Sequence, residues 1–185
     1  MLNILGARAR RKRIAAQLCA SVSARAREPA FYRDIGVADS FDGRFDLLAL
    51  HAWLVLERLR IARESALAQA FVDALFARLD EALREQGAGD IGMGRRMKKL
   101  VSALYGRLDA YSKAADDARL AEALLRNVYR GDVGRVEDAA RLATYVRDAR
   151  NSLALCHLDG GDVEFGPLPV AEICHDGRHS HRTPS

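Results

Sequence analysis

Two Cys-His pairs have the side-chain types that bind zinc. Cys156-His157 and Cys174-His175 each place a thiol beside an imidazole, and two more histidines follow the second pair. Thiolate and imidazole are common zinc ligands, but structural sites often space their cysteines as CxxC, and that spacing is absent here. We therefore expect no metal site in this chain.

A glycine-rich stretch and several acid clusters could serve catalysis by composition alone. Gly87, Gly89, Gly92 and Gly94 precede two lysines, as in a phosphate-binding loop, but no predicted strand leads into them and GxxxxGK[ST] is absent. The acid clusters fall at predicted helix starts, where carboxylates interact favourably with the helix dipole. No GxSxG or HExxH motif occurs. These patterns predict a protein that is not an enzyme and uses no cofactor.

His51 stands in the most apolar segment of the chain, which runs from Phe45 to Leu56. The simpler interpretation is a core histidine whose ring nitrogens are hydrogen-bonded. Haem ligation is the alternative, and it requires a second ligand or a pocket that the sequence does not indicate. Trp53, two residues further on, is interpreted as an anchor of the same core.

The elements that position these residues are predicted to be helices. The 185 residues are 49% hydrophobic and include only four prolines, which favours one all-α domain of six or seven helices. The Phe45–Leu59 helix is apolar on nearly every side, as expected of a central helix surrounded by others. Apolar residues at helical spacing predict the other helices at 3–27, 29–35, 64–86, 91–115, 117–129 and 136–155.

The chain divides into three predicted parts. They are a basic N-terminal helix (1–27), a helical domain (28–158) and an irregular tail (159–185). Gly36 to Gly43 is predicted to be a loop, because glycines bound it and it precedes the apolar run. The tail is predicted to contain a turn and one short strand near Val163 and Phe165, and to fray beyond Pro169.

Positive charge is concentrated in two islands. Residues 1–27 carry seven basic side chains and no acid, and residues 91–113 carry six against one acid, so the rest of the chain has a net charge of −8. The second island begins at a helix start, where positive charge opposes the dipole, and such local conflicts are typical of functional sites. The islands indicate an anionic partner: a lipid head group, RNA or an acidic protein. Two solvated helix faces are the simpler alternative.

The compartment is predicted from cysteines and hydropathy. Three scattered cysteines fit a reducing compartment, and no apolar core follows the N-terminal charges as in a secretory signal. The longest apolar stretch contains Asp46 and His51 and is too short to span a bilayer. We expect a cytoplasmic protein, or one peripheral on the cytoplasmic face of the inner membrane.

Two motifs have the pattern of a known family. They read FDLLALHAWLVL at 45–56 and DIGMGRRMKKL at 90–100, the latter followed by YGRLDAY at 105–111, and FVDALF at 71–76 also fits. The segments resemble the ubiquinol–cytochrome c chaperone family over roughly residues 30–155. The resemblance implies an all-helical assembly chaperone for the bc1 complex (complex III) that binds newly made cytochrome b. The mitochondrial members of the family work with a small helical partner near the ribosomal tunnel exit. The resemblance therefore implies a small helical protein and the ribosome as further candidate partners, and it implies no binding of DNA.

The candidate contact surface has two parts. In the second motif, the cations would bind anionic lipid or the ribosome, and the glycines would permit close approach of a partner. The methionines would adapt to varied client surfaces, although filling the core is the alternative for them. Its residues are Gly92, Met93, Gly94, Arg95, Arg96, Met97, Lys98 and Lys99. The N-terminal part could lie on a membrane as a basic helix. Its residues are Arg10, Arg11, Lys12 and Arg13.

Two other classes of function remain as rivals. An RNA- or ribosome-binding module without a client would show steep salt dependence and no sensitivity to apolar surface changes. An enzyme acting on a hydrophobic, quinone-like molecule would require an enclosed apolar cavity with an acid or base such as His51.

Overall fold

Seven α-helices and one 3-10 turn make up most of residues 2–85 and 90–169, which are the residues that this computed structural model describes. The helices are α1 (Leu2–Arg25), α2 (Pro29–Arg33), α3 (Phe41–Ile61), α4 (Ser65–Glu85), α5 (Asp90–Ser112), α6 (Asp117–Asn127) and α7 (Val136–Leu155). The 3-10 turn leads into α7. No strand occurs within these ranges, so the all-α class is confirmed and the short strand predicted near Val163 is not formed.

The start of α3 differs from the sequence prediction, which placed a loop as far as Gly43. Ser40 is extended and its side-chain oxygen accepts a hydrogen bond from the Gly43 amide at 3.1 Å, so it caps a helix that begins at Phe41. A Cβ at position 43 would lie 2.0 Å from the carbonyl oxygen of Ala38. Gly43 is therefore a residue of the first helical turn that allows the preceding loop to pack closely.

α3 is the central helix, as predicted. It contacts α1, α4, α5 and α7, and most of its side chains are buried, including the polar residues Asp46 and His51. Tertiary packing on every side explains why apolar residues surround this helix rather than forming one stripe. None of the helices in the described ranges is both long and apolar enough to cross a bilayer.

The surrounding helices bury one stripe each. On α4 this stripe repeats every four residues, and its five members are buried: Leu67, Phe71, Leu75, Leu79 and Leu83. α1 runs parallel to α4, because Arg11 lies near Ala70 at one end whereas Ala26 lies near Ala82 at the other. α5 returns antiparallel to α4 after a short connection. α6 and α7 pack together as a helical pair.

Residues 159–169 are irregular but packed, and we call them the strap. Phe165 is 4% exposed and joins the main core. Arg25 of α1 donates hydrogen bonds from Nη2 to the carbonyl oxygens of Gly166 and Pro167 at 2.6 and 3.1 Å. Gly161 has φ +81° and lies against Ile14 of α1. The strap is therefore packed against α1 and hydrogen-bonded to it.

Candidate functional site

The ends of four helices meet at one end of the bundle. The end of α1, the start of α3 and the second half of α4 enclose a groove of about 300 Å³. α5 begins at the same end, because it is antiparallel to α4 and its Tyr105 ring lies 6.2 Å from the ring of Phe76. The second motif found in the sequence therefore begins at the end of the molecule that carries the groove.

Seven cations are concentrated there, and we call this region the basic end. They are Arg27, Arg44, Arg78, Arg95, Arg96, Lys98 and Lys99. Arg44 pairs with Asp39 at 2.7 Å, but no carboxylate within residues 2–85 and 90–169 lies within ion-pair distance of the other six. Uncompensated charge at this density attracts an anionic partner.

A buried ion-pair cluster holds α5 against α3. Asp46 is fully buried, and Arg107 of α5 donates from Nε to its Oδ1 at 2.6 Å. Arg130, after α6, places Nη2 2.8 Å from the Asp46 Oδ2. Arg130 reaches the carboxylate with a left-handed backbone, φ +58°, which is unusual for a residue other than glycine. The cluster removes Arg107 from the basic island in which the sequence had counted it.

The charge state of Asp46 reflects two opposing effects. Burial raises the pKa of the Asp46 carboxyl above its ordinary value, and the guanidiniums of Arg107 and Arg130 oppose that shift. Arg107 also stacks over the ring of Phe45, with 5.1 Å from Cζ to the ring centroid. Since Phe45 lines the groove, the cluster connects the position of α5 to the groove wall.

The cationic run of α5 is exposed to solvent. Arg95, Arg96, Lys98 and Lys99 are all exposed, and so are Gly92 and Gly94. A Cβ added at either glycine would meet nothing within 4 Å. The fold itself therefore does not require glycine at these two positions, and their predicted role in close approach to a partner stays a prediction.

The two methionines of the motif have different environments. Met97 is half-buried and packs against the hydrophobic core, as the core-filling alternative proposed. Met93 is half-buried without belonging to that core. Met93 is thus the better placed of the two to contact a partner.

The N-terminal cations do not join the basic end. Arg11 and Lys12 line a shallow hollow with Ala70 and Asp73 of α4, at the opposite end of the parallel α1/α4 pair. Arg10 is tied to the strap, with its Nη2 3.6 Å from an Asp159 carboxylate oxygen. Arg13 is exposed. The cations at 10–13 and those at 95–99 therefore form two separate surfaces, whereas Arg27 of the first island lies at the basic end.

His51 has the environment of a core histidine. Its Nδ1 lies 2.7 Å from the carbonyl oxygen of Leu47, which can only accept, so Nδ1 donates and Nε2 accepts from the Tyr145 hydroxyl at 2.7 Å. Tyr145 in turn accepts from Arg25 Nε at 2.9 Å. Burial lowers the pKa of His51 to about 3, so the ring is neutral at physiological pH. Both ring nitrogens are engaged, which agrees with the simpler interpretation.

Cys156 and His157 are the members of the Cys-His pairs that lie within the described residues, and His157 is exposed. Cys156 is half-buried. Its Sγ lies 3.4 Å from both the Ser152 carbonyl oxygen and the Glu164 amide nitrogen. Within residues 2–85 and 90–169, no group of three or more histidine, cysteine or acidic residues is placed to hold a metal. Cys174, His175 and the last two histidines lie outside the described residues, as do Gly87 and Gly89 of the glycine-rich stretch.

Sequence reasoning missed the arginines of the groove. Arg27 follows the end of α1, whereas Arg44 and Arg78 belong to α3 and α4, and no spacing along the chain relates the three. The buried charge at Asp46 did have a signal, because it is an acid inside a run of apolar residues. A buried acid needs a cationic partner, but its partners are 61 and 84 positions away along the chain.

Known proteins provide two matches to this chain. The family model described as Ubiquinol-cytochrome C chaperone matches residues 33–159. Among solved structures, the crystal structure of the Cbp3 homolog from Brucella abortus is similar, with a TM-score of 0.76 and 35% sequence identity. That match covers 91% of this chain and 98% of the other. No curated protein matches the chain.

Proposed function

Because this chain belongs to the ubiquinol-cytochrome C chaperone family, as its resemblance to the family implied, we propose that it is an assembly chaperone for the bc1 complex that transiently binds newly made cytochrome b near the membrane. The observation that carries this proposal is the extent of the match. The family model spans every helix from α3 to α7, and the Cbp3 homolog is similar over nearly its whole length.

The proposed contact surface for cytochrome b is the basic end. A chaperone of a membrane protein needs an apolar surface for the client and cations that keep it near anionic lipid or the ribosome. Phe41 at the rim of the groove, which is 38% exposed, supplies apolar surface, and the run Arg95–Lys99 supplies exposed cations. Each such cation near an anionic surface contributes about 1 kcal/mol to membrane attraction.

The proposed action is non-catalytic and peripheral to the membrane. Holding a client requires reversible contact and no bond chemistry, so we assign no catalytic residue and no cofactor. Arg11, Lys12 and Arg13, at the other end of α1, form a second cationic surface that could contact the membrane, the ribosome or a small helical partner. We place the protein in the cytoplasm, on the cytoplasmic face of the inner membrane while it holds its client.

Deleting the gene in its host tests the chaperone role directly. We expect selective loss of the bc1 b-haem signal in difference spectra of membranes, with other cytochromes unchanged. A plasmid copy of the gene should restore the signal. An unchanged b-haem spectrum in the deletion strain would contradict the proposal.

Charge reversal tests the contact surface. In the complemented deletion strain, Arg95→Glu with Arg96→Glu should lower membrane b-haem towards the deletion level, because two attractive charges become repulsive. The matched control is Arg60→Glu with Arg126→Glu, which reverses two exposed arginines that also have no ion-pair partner in the described ranges. Normal b-haem in the first variant, at equal protein level, would place the contact elsewhere.

Ribosomal RNA is the second candidate partner, because unpaired exposed cations also suit phosphates. Binding of RNA by the purified protein would weaken steeply with added salt. Exchanging Phe41 for serine would not affect that binding, whereas it should weaken capture of a client. Retained RNA binding with normal b-haem in the deletion strain would favour this candidate.

A further inference from the structure

Two hollows at the basic end share the same two arginines. The groove between α1, α3 and α4 has a volume of about 300 Å³ and includes Arg27 and Arg44 in its lining. A second hollow of about 670 Å³ lies on the other side of these arginines, next to Tyr32 and Asp39. The guanidiniums of Arg27 and Arg44 thus line both hollows, and the other lining residues of the two hollows differ.

The groove combines apolar and charged side chains. Its apolar wall comes from Phe41, which is 38% exposed, and from Leu48, Leu79 and Ala82. The second hollow is lined by four charged residues and two others: Arg27, Arg33, Asp39, Arg44, Pro29 and Tyr32. A ligand that spans both would have an apolar body, an anionic group at the arginines and a polar end.

The charge of the groove is unbalanced. Arg27 and Arg78 have no carboxylate within ion-pair distance among the residues that the structure describes, and Glu85 is the acid in the lining. The pair between Arg44 and Asp39 is about 60% exposed on both sides, so an incoming anion can replace it at small cost. Guanidinium groups bind phosphate oxygens with paired hydrogen bonds.

The chemistry of the apolar wall favours an acyl chain over an extended peptide. Leu48 and Leu79 lie within α3 and α4, where the backbone groups are already paired in the helices, so the amides of a peptide on this wall would lose hydrogen bonds to water. A hydrocarbon chain has no such groups.

We propose that this groove binds one anionic phospholipid, with its phosphodiester at Arg27 and Arg44 and one acyl chain over Leu48 and Leu79. The proposal goes beyond the chaperone function and does not depend on cytochrome b. It is tested on the isolated protein, so its failure would leave the proposed function untouched. Lipid in this site would orient the basic end, and with it the start of α5, towards the bilayer.

The binding experiment uses calorimetric titration of the full chain with dioctanoyl phosphatidylglycerol below its micelle concentration. We expect one molecule bound per chain. Dioctanoyl phosphatidylcholine, with the same chains and no net charge, should bind about tenfold more weakly or not at all. Glycerol 1-phosphate supplies the head group alone and should bind much more weakly, because each buried methylene contributes about fourfold in affinity.

Two variants separate head group from chain. Arg27→Gln should weaken the phosphatidylglycerol by about tenfold. Ala82→Leu fills the apolar floor with a residue that favours helix, and should reduce the affinity of the lipid to that of glycerol 1-phosphate. Arg60→Gln is the matched control, since it removes one exposed charge at the far end of α3, and should leave binding unchanged.

Several results would overturn the proposal. Equal binding of the two lipids would show that charge plays no part, and equal binding of glycerol 1-phosphate would indicate a phosphate site without a chain. Equal weakening by Arg60→Gln would indicate diffuse attraction to net charge. Absence of lipid binding to the unchanged protein would also contradict the proposal. An apolar peptide with an acidic end that binds more tightly and displaces the lipid would assign the groove to another occupant.

Discussion

The carboxylate of Asp46 lies between two guanidiniums inside the bundle. It is fully buried, whereas its partners Arg107 and Arg130 are 15% and 49% exposed. Because Arg107 belongs to α5 and Arg130 follows α6, this one side chain determines how both helices are placed against α3. Removing one member of such a pair leaves an uncompensated charge in the interior.

Asp46→Asn should therefore lower the free energy of unfolding by about 3–5 kcal/mol, measured by urea denaturation. The matched control is Asp109→Asn in α5, which breaks the exposed pair with Lys113, the residue after that helix, and should cost less than about 1 kcal/mol. Similar losses in the two variants would mean that the buried cluster does not stabilise the placement of α5.

His51 illustrates a buried group whose charge state depends on folding. Arg25, Tyr145, His51 and the Leu47 carbonyl form one hydrogen-bonded chain through the core. The rings of Phe31 and Phe165 close around His51 with centroids 5.3 and 5.1 Å away. The neutral ring is therefore part of the folded structure, and the unfolded chain exposes a histidine that titrates normally.

Stability should depend on pH through His51. Its pKa is lowered to about 3 in the folded state and is near 6.5 when unfolded, so the unfolded state takes up the proton first as the pH falls. The contribution is fully present above pH 6.5, and unfolding free energy should fall by about 2 kcal/mol from pH 7 to pH 5. His51→Gln should flatten this slope whatever its own stability, whereas exchange of the exposed His157 should leave the slope unchanged. An unaltered slope in His51→Gln would exclude this residue as the cause.

At the scale of elements, α5 combines a fixed half with an open half. Its second half is held by Arg107, by the buried ring of Tyr111 and by Ser112, whose Oγ accepts from Trp53 Nε1 at 3.0 Å. Its first half carries exposed cations and two glycines with nothing around them. A helix that is anchored by its second half can present its first half to a partner while the packing of the hydrophobic core is kept.

The glycines of α5 allow a test that separates folding from contact. Gly94→Ala and Gly106→Ala both add a methyl group to an exposed helical position with open space, so each should raise stability by about 0.5–1 kcal/mol. Only Gly94 belongs to the proposed contact surface, so only Gly94→Ala should lower membrane b-haem in the complemented deletion strain. Equal b-haem in both strains would show that no partner approaches closely at Gly94.

At the scale of the whole molecule, the strap joins the segment after α7 to α1. Gln17 of α1 donates to an Asp162 carboxylate oxygen at 2.7 Å, and Arg25 bonds the carbonyls of Gly166 and Pro167. The first part of the segment predicted as an irregular tail is thus part of the folded core. Its irregular backbone is compatible with burial because helical side chains bind its polar groups.

Phe165→Ala should show that the strap contributes to global stability. Loss of a buried aromatic ring should lower the free energy of unfolding by about 3 kcal/mol or more. The measurement is urea denaturation followed by the circular dichroism signal of the α-helices. Leu155→Ala is the control, because Leu155 is 83% exposed and should change stability by less than about 0.5 kcal/mol. A small effect of Phe165→Ala would mean that the strap detaches independently of the bundle.

The sequence by itself determined the helical class and the central helix, and it located the other helices. Apolar spacing carries this information locally, because burial of one face recurs every three or four residues. It also determined the family, through two motifs inside 33–159. It did not place the start of α3, because the cap at Ser40 and the close contact at Gly43 depend on a loop folding back.

Only the tertiary structure decided which distant residues meet. Asp46 with Arg130, and Arg27 with Arg44 and Arg78, are brought together by the crossing of helices that lie far apart along the chain. The same packing separated the cations near the start of α1 from those near the start of α5, since α1 and α4 are parallel and the two groups lie at opposite ends of that pair. The spacing of residues along the chain does not indicate such contacts, because long-range pairing depends on how whole helix faces pack.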